Sequence, residues 1–300
     1  MATQLTTYES TATNKRDVND FVVNISPSDS PMYSMIAETG MTSRKKENVY
    51  DTYGGGSSIN SLAEGDTFTD QTITARSVSE NYAQIFYKVI NISDTQEEVA
   101  KYGGVKSEVE YQVKKKFVEL AKDVEYSFMI GTATAGVTGT GTANARKLGG
   151  LLTKITTNTA TASGDASTGT AFEDELNDLF ETMYGTGETP DTVLCAGARK
   201  RYISALTTNV TRNVDAEKKM QINSINVYDS DFGTVNIILD RYVPATSLFA
   251  IKKEMFRTAY LRRFKRVPLA KTSDSTRMVI VGELTLDILQ EGAGGQITFS

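Results

Sequence analysis

One long amphipathic helix, and the stretch of chain that precedes it, constrain this sequence most. From Val105 to Ile130 the apolar residues fall at Val105, Val109, Val113, Phe117, Leu120, Ala121, Val124 and Phe128, with charges between them. That spacing has a period near 3.6 and predicts a helix with one buried stripe. At 1.5 Å per residue it would run about 39 Å, the width of a small domain. The upstream residues form no compact unit of their own: a polar stretch over Met1–Glu47, then an excursion over Asn48–Ile92. A spine helix preceded by an arm and a projecting loop suits a subunit that tiles with its own copies and suits an enzyme pocket poorly.

Three hundred residues give a soft expectation of two domains. Apolar residues are thin before residue 85 and dense over Thr192–Ile288. There is no histidine, which removes Ser-His-Asp and Cys-His nucleophilic sites, His-ligated metals and His acid–base chemistry. The single cysteine, Cys195, excludes an intrachain disulfide and a multi-Cys metal cluster, and reads as a small buried residue of the strand Thr192–Ala196. No cofactor, metal or catalytic residue is expected. Net charge is −5 with a pI near 5.1, unlike a dedicated DNA reader. The N-terminus lacks the form of a signal peptide and no apolar run is long enough to span a bilayer, so no membrane role is expected and synthesis in the cytoplasm is.

In Met1–Glu47 the apolar residues Phe21, Ile25, Met35 and Ile36 favour an arm that orders against a neighbour over a frayed terminus. Asn48–Tyr53 alternates like a strand and runs into Gly54-Gly55-Gly56; Glu64-Gly65-Asp66 predicts a turn, and Arg76–Ile92 one long return strand. A lone hairpin is marginal in water, so it needs another surface. Ser93 with Gln96 and Ser107 with Glu110 are candidate helix caps, and Gly131 is placed for a left-handed stop. Gly131–Ala145 reads as a flexible loop, Leu148–Ile155 as a strand and Thr156–Thr170 as a second loop, the two loops framing a hairpin. An α/β half follows. Its first helix carries the stripe Phe172, Leu176, Leu179, Phe180 and Met183, capped by Thr170 with Glu173 and stopped at Gly185. After the strand Thr192–Ala196 and the helix Ala198–Leu206, Thr207–Gln221 reads as an exposed loop. Strands are expected at Ile222–Tyr228, Val235–Leu239, Leu248–Lys252, Phe256–Phe264 and Met278–Leu289. Strand arrays with few helices predict an α+β fold.

Asp231-Phe232-Gly233 and Ser43 with Lys46 copy fragments of kinase and β-lactamase motifs without their partners, and Gly136–Gly141 lacks the ending of a phosphate-binding loop. Lys114-Lys115-Lys116 is a solvated helix face or a surface toward nucleic acid. The run Lys252, Lys253, Arg257, Arg262, Arg263, Lys265, Arg266 and Lys271 holds one acid, Glu254. It is either a solvated sheet face or a charge-complementary contact, with the helix near Glu173 or the Glu64-Gly65-Asp66 turn as acidic partner.

An ordered series of short segments gives a sharper clue: Glu64-Gly65-Asp66, Arg76, Asn81-Tyr82-Ala83-Gln84-Ile85, Ser93-Asp94-Thr95-Gln96, the helix through Gln112, Lys115, Glu119 and Asp123-Val124-Glu125, and Ala145-Arg146-Lys147-Leu148-Gly149-Gly150-Leu151. This series resembles the major capsid proteins of tailed bacteriophages with the Hong Kong 97-type fold. The resemblance implies an N-terminal arm (1–47), an extended loop (48–92), a peripheral domain (93–165 and 252–290) and an axial domain (166–251 and 291–300). It implies a structural subunit that self-assembles into hexamers and pentamers of an icosahedral head around double-stranded DNA. The expected partners are a separate scaffold, a portal, decoration proteins and diffusely contacted DNA. The residues expected at intersubunit contacts are Glu64, Asp66, Arg76, Arg257, Arg262 and Arg263. Alternatives are a cargo shell of the same fold, an enzyme lacking histidine and a nucleic-acid-binding module.

Overall fold

The computed structural model describes residues 29–51, 53–54, 61–68, 70, 73, 75–100, 106–162, 169–205, 214–215, 220–221 and 226–299. In chain order these form α1 (Pro31–Met35), β1 (Ala37–Gly40), β2 (Lys45–Tyr50), β3 (Ser77–Tyr82), β4 (Gln84–Ser93), α2 (Asp94–Glu98), α3 (Glu108–Ile130), α4 (Leu151–Lys154), β5 (Asn158–Ala162), α5 (Gly169–Gly185), β6 (Thr192–Cys195), α6 (Gly197–Ala205), β7 (Val214–Asp215), β8 (Met220–Gln221), β9 (Val227–Ser230), β10 (Gly233–Leu239), β11 (Ser247–Ile251), β12 (Phe256–Pro268), β13 (Ser275–Ile288) and β14 (Gly294–Phe299).

The spine helix is α3. Ser107 caps it, its hydroxyl accepting from Glu110 N–H at 3.2 Å. Glu97, from α2, reaches across to accept from Glu108 N–H at 2.9 Å, placing a carboxylate on the positive end of the helix. Ser93 caps α2 through Gln96 N–H. Val113, Leu120, Val124 and Phe128 are buried as their period requires; Phe117 stays 40% exposed. Val105 lies outside the described residues. The helix does not stop in a left-handed conformation: Gly131 has φ −57° and ψ 141°. Glycine is needed there for closeness instead, because a Cβ would stand 2.4 Å from Ser127 O and 2.7 Å from Leu148 O.

Two sheets flank this spine. The first has the order β1-β12-β13-β4, with β12–β13 and β13–β4 antiparallel and β1 parallel to β12. The β4 side chains Phe86 and Ile90 turn inward with α3, Ile280, Leu284 and Leu286 into one core. The second has the order β5-β14-β11-β6-β10-β9. Its central strands β6 and β11 are buried along their whole length. Leu194, Phe249 and Ile251 join the α3 core, whereas Val193, Cys195, Leu248 and Ala250 meet the α5 stripe of Phe172, Leu176, Leu179, Phe180 and Met183. Cys195 is free and fully buried in β6, as its surroundings in the sequence imply.

Several expectations need correction. The segment before residue 92 does not wait wholly for a neighbour. Met32 and Ile36 are buried against α3, β1 adds to the first sheet, and β4 is paired with β13 along ten residues. Burying side chains such as these contributes about 2 kcal/mol each, enough to dock a five-residue helix with no stability of its own. The return strand is broken at Ala83, whose N–H donates to Arg44 O at 2.9 Å; β3 then pairs with β2 and β4 with β13. Leu148–Ile155 holds the helix α4, not a strand, because Thr153 and Lys154 N–H groups close back onto Gly150 O. The supposed loop Thr156–Thr170 contains β5, recruited by β14, a strand with no periodic signal. The two loops therefore frame no hairpin. Gly131–Ala145 is pinned to the following chain by paired bonds between Thr134 and Lys147. Helix α5 starts at Gly169, so Thr170 lies inside it, not before it. Most of Thr207–Gln221 lies outside the described residues, apart from the β7–β8 ladder. The Asp231-Phe232-Gly233 turn joins β9 to β10, with Gly233 at φ +131°.

Candidate assembly surfaces

The excursion between β2 and β3 is fixed at its root. Asn81, 4% exposed, donates through Nδ2 to Gly149 O (2.9 Å) and Leu286 O (2.8 Å), while its Oδ1 accepts from Gly149 N–H (2.8 Å) and Tyr82 N–H (2.9 Å). Gln84 Oε1 accepts from Leu148 N–H at 3.1 Å. Lys154 Nζ donates to Glu80 O at 2.7 Å, and Asn48 donates to the Asp287 carboxylate. Two of the sequence segments that carry the family resemblance are therefore in direct contact. Lys45 bridges Glu47 and Glu80 across the ladder; hydrogen bonds to those carboxylates hold its ammonium well above the usual lysine range.

Beyond the root, the excursion loses its packing. Val49, Tyr53, Leu62, Phe68, Ile73 and Val78 are exposed, Phe68 and Ile73 at 93% and 94%. Asp51 and Arg76 approach to 3.6 Å across its base. The expected turn is present: Asp66 N–H donates to Ala63 O at 3.1 Å, with Gly65 at φ +84°, a conformation open to glycine. Glu64 and Asp66 are both exposed there. On the outer face of β4, Ile85, Tyr87 and Val89 are exposed in alternation with the buried Phe86 and Ile90. β4 thus presents one apolar face to the core and a second one outward.

The basic run lies largely along β12. Arg262 and Arg146 converge on one carboxylate, Glu283, which is 3% exposed; Arg262 sits 3.0 Å from it. Arg263 pairs with Glu38 of β1 at 2.8 Å and lies over the Tyr260 ring. Arg266 pairs with Glu110 at 2.8 Å, Lys252 with Glu188 at 2.6 Å, and Lys271 with Asp94. Arg257, partly exposed opposite Ala37 and Asp287, makes no ion pair among the described residues. The structure thus brings Arg262 and Arg263 onto one strand with own-chain acids, and leaves Glu64, Asp66 and Arg76 on the separate excursion. The acids Glu283 and Glu38 escape a reading of charge runs because neither has a charged residue beside it in the sequence. Beside Glu283 opens a cavity of about 730 Å³ lined by Arg44, Ile85, Val137 and Arg146, among others.

Among the described residues, no three His, Cys, Asp or Glu side chains gather as a metal set, and no helix is long and apolar enough to cross a membrane. Burial pushes the Cys195 thiol up to about 11, away from nucleophilic reactivity.

Comparison with known proteins agrees with this geometry. A curated relative, the major capsid protein of Escherichia phage Phieco32, is 23% identical over 308 residues, covering 87% of each chain. The fold is similar to the capsid of cyanophage P-SCSP1u (TM-score 0.63, 14% identity, 97% and 94% covered). It is also similar to a Mycobacterium phage Ogopogo structure (TM-score 0.68, 9% identity, 99% and 100% covered). The capsid of Myoviridae phage XM1 is a third (TM-score 0.62, 14% identity, 95% and 97% covered). The sequence model described as SU10 major capsid protein matches residues 3–299, so the chain belongs to the SU10 major capsid protein family, with a Hong Kong 97-type α+β fold.

Proposed function

We propose that the chain closes with copies of itself into hexamers and pentamers of an icosahedral phage head that encloses double-stranded DNA. The observation that carries this reading is the excursion with Phe68 and Ile73 in solvent, apolar surface that no described residue of the chain covers and that a neighbouring copy would bury. Family membership favours the phage head over a cargo shell, and a structural role over an enzymatic one. The first sheet with α3 serves as the peripheral domain, with β1 and β4 included. The second sheet with α5 and α6 serves as the axial domain, with β5 included.

At the contacts, Glu64 and Asp66 of one copy face Arg257, Arg262 and Arg263 of another, and Arg76 lies at a contact nearer the root. Arg257 is free of an ion partner among the described residues, and Arg262 and Arg263 keep 48% and 71% of their side chains exposed after pairing within the chain. The cavity beside Arg44 and Arg146 adds cationic surface next to Ile85. Such contacts set register and partner choice more than affinity. The exposed Lys114 and Lys115 suit weak, sliding contact with packaged DNA by a chain of net charge −5. A scaffold, a portal and decoration proteins complete the partners. Electron microscopy of the purified protein, made with and without a co-expressed scaffold, tests the reading. Closed particles support it; a monodisperse monomer under both conditions ends it.

A further inference from the structure

Glu125 stands on the buried side of α3 with no solvent exposure. Its Oε1 accepts from Met32 N–H at 2.7 Å and its Oε2 from Tyr33 N–H at 2.8 Å, so it holds α1 by the backbone. Asp240, just past β10 and 2% exposed, brings a second carboxyl within hydrogen-bonding reach. Asp240 Oδ1 accepts from Tyr242 N–H at 2.8 Å, and its Oδ2 has no donor among the described residues. The charged groups around the pair are engaged elsewhere. Arg241 turns to Asp29 at 3.8 Å, Asp123 is paired with Lys88 at 2.7 Å, and the Tyr33 hydroxyl meets that of Tyr260 at 2.5 Å. Burial, then the neighbouring Asp240 and Glu125, push the Tyr242 phenol up.

Two carboxylates cannot both stay ionised side by side in so dry a place without a large penalty. One proton removes it: a protonated Glu125 can donate to the Asp240 carboxyl and still accept both α1 N–H groups. We propose that Glu125 keeps a proton beside Asp240, and that this proton latches the segment entering at α1 onto the spine helix and the second sheet. Release of α1 exposes Glu125 and frees the proton, so the hold on the N-terminal region depends on pH.

The sign follows from the two states. Burial, then the neighbouring Asp240, push docked Glu125 up to about 8, against an ordinary value of 4.5. Docking is strongest below the ordinary value. It weakens by up to about tenfold per pH unit as pH rises between the two values, and levels off above the upper one.

Amide hydrogen exchange of the full chain over residues 31–36, corrected for the intrinsic rate, reads this between pH 5 and 9. Protection in the unaltered protein should fall toward pH 8 and then flatten. Glu125→Gln, which cannot ionise, should be protected with no slope. Asp240→Asn should shrink the slope and move its end to lower pH. Protection that does not change with pH in the unaltered protein overturns the proposal, as does an unaltered slope in Glu125→Gln. Should Glu125→Gln fail to fold, the unaltered protein and Asp240→Asn decide alone. The readout is within one subunit, so its outcome is independent of shell formation.

Discussion

Asn81 and Gly149 are joined by a reciprocal pair of hydrogen bonds, the Asn81 amide giving to Gly149 O at 2.9 Å and Gly149 N–H returning to Asn81 Oδ1 at 2.8 Å. A side chain thus stands in for a strand, locking the root of the excursion to the chain that leaves the spine helix. Asn81→Ala strands the Gly149 N–H and reduces the satisfaction of two buried carbonyls. It should cost about 3 kcal/mol, read as a lowered denaturation midpoint at unchanged slope. Asn81→Asp, which lacks the donor, should not rescue it.

Gly150 packs where nothing larger fits. A Cβ there would lie 2.6–2.7 Å from Ser127 O, Gly131 N and Phe128 O, all backbone atoms of the α3 terminus. Gly150→Ala should therefore destabilise by about 3 kcal/mol or abolish soluble expression. Gly185→Ala, at a position with open space, should be neutral or slightly stabilising in the same thermal assay.

Glu283 neutralises two guanidinium groups from a buried position. Removing its charge by Glu283→Gln leaves Arg146 and Arg262 facing each other and should cost about 3 kcal/mol. Glu38→Gln, which breaks the exposed pair with Arg263, should cost under about 1 kcal/mol. Equilibrium unfolding of both variants separates the two situations.

Phe68 and Ile73 are left exposed by the described residues of the subunit. Phe68→Ser and Ile73→Ser should leave its stability within about 0.5 kcal/mol of the unaltered chain. The yield of closed particles should nonetheless drop by about tenfold or more, as expected when an apolar anchor is lost from an interface. Unfolding curves and particle counts on the same preparations make the comparison.

What the sequence disclosed tracks the range over which each element is stabilised. The spine helix was legible because its apolar period repeats over six turns, and its start because Ser107 and Ser93 carry cap chemistry within four residues. The α5 stripe was legible for the same reason. The four-residue α4 and the strand β5 were not. The former is fixed by Gly131, Gly150 and Asn81, and the latter exists because β14 lies beside it, at the far end of the chain. The docking of α1 was hidden as well: Met32 and Ile36 make a single apolar turn, and their anchor, Glu125, looks like any charge on a helix until the fold buries it. The exposed turn at Glu64–Asp66 was readable from its glycine. The acids that meet Arg262 and Arg263 were not, since ion pairs across a sheet leave no local pattern.

The lone sulfhydryl at Cys195 is sealed between the second sheet and α5. A cysteine introduced at exposed Gly54 would consequently be the one thiol a reagent can reach. A dye or metal cluster attached there would appear once per copy, turning any ordered array of these molecules into a ruler whose graduations are set by the array's own geometry.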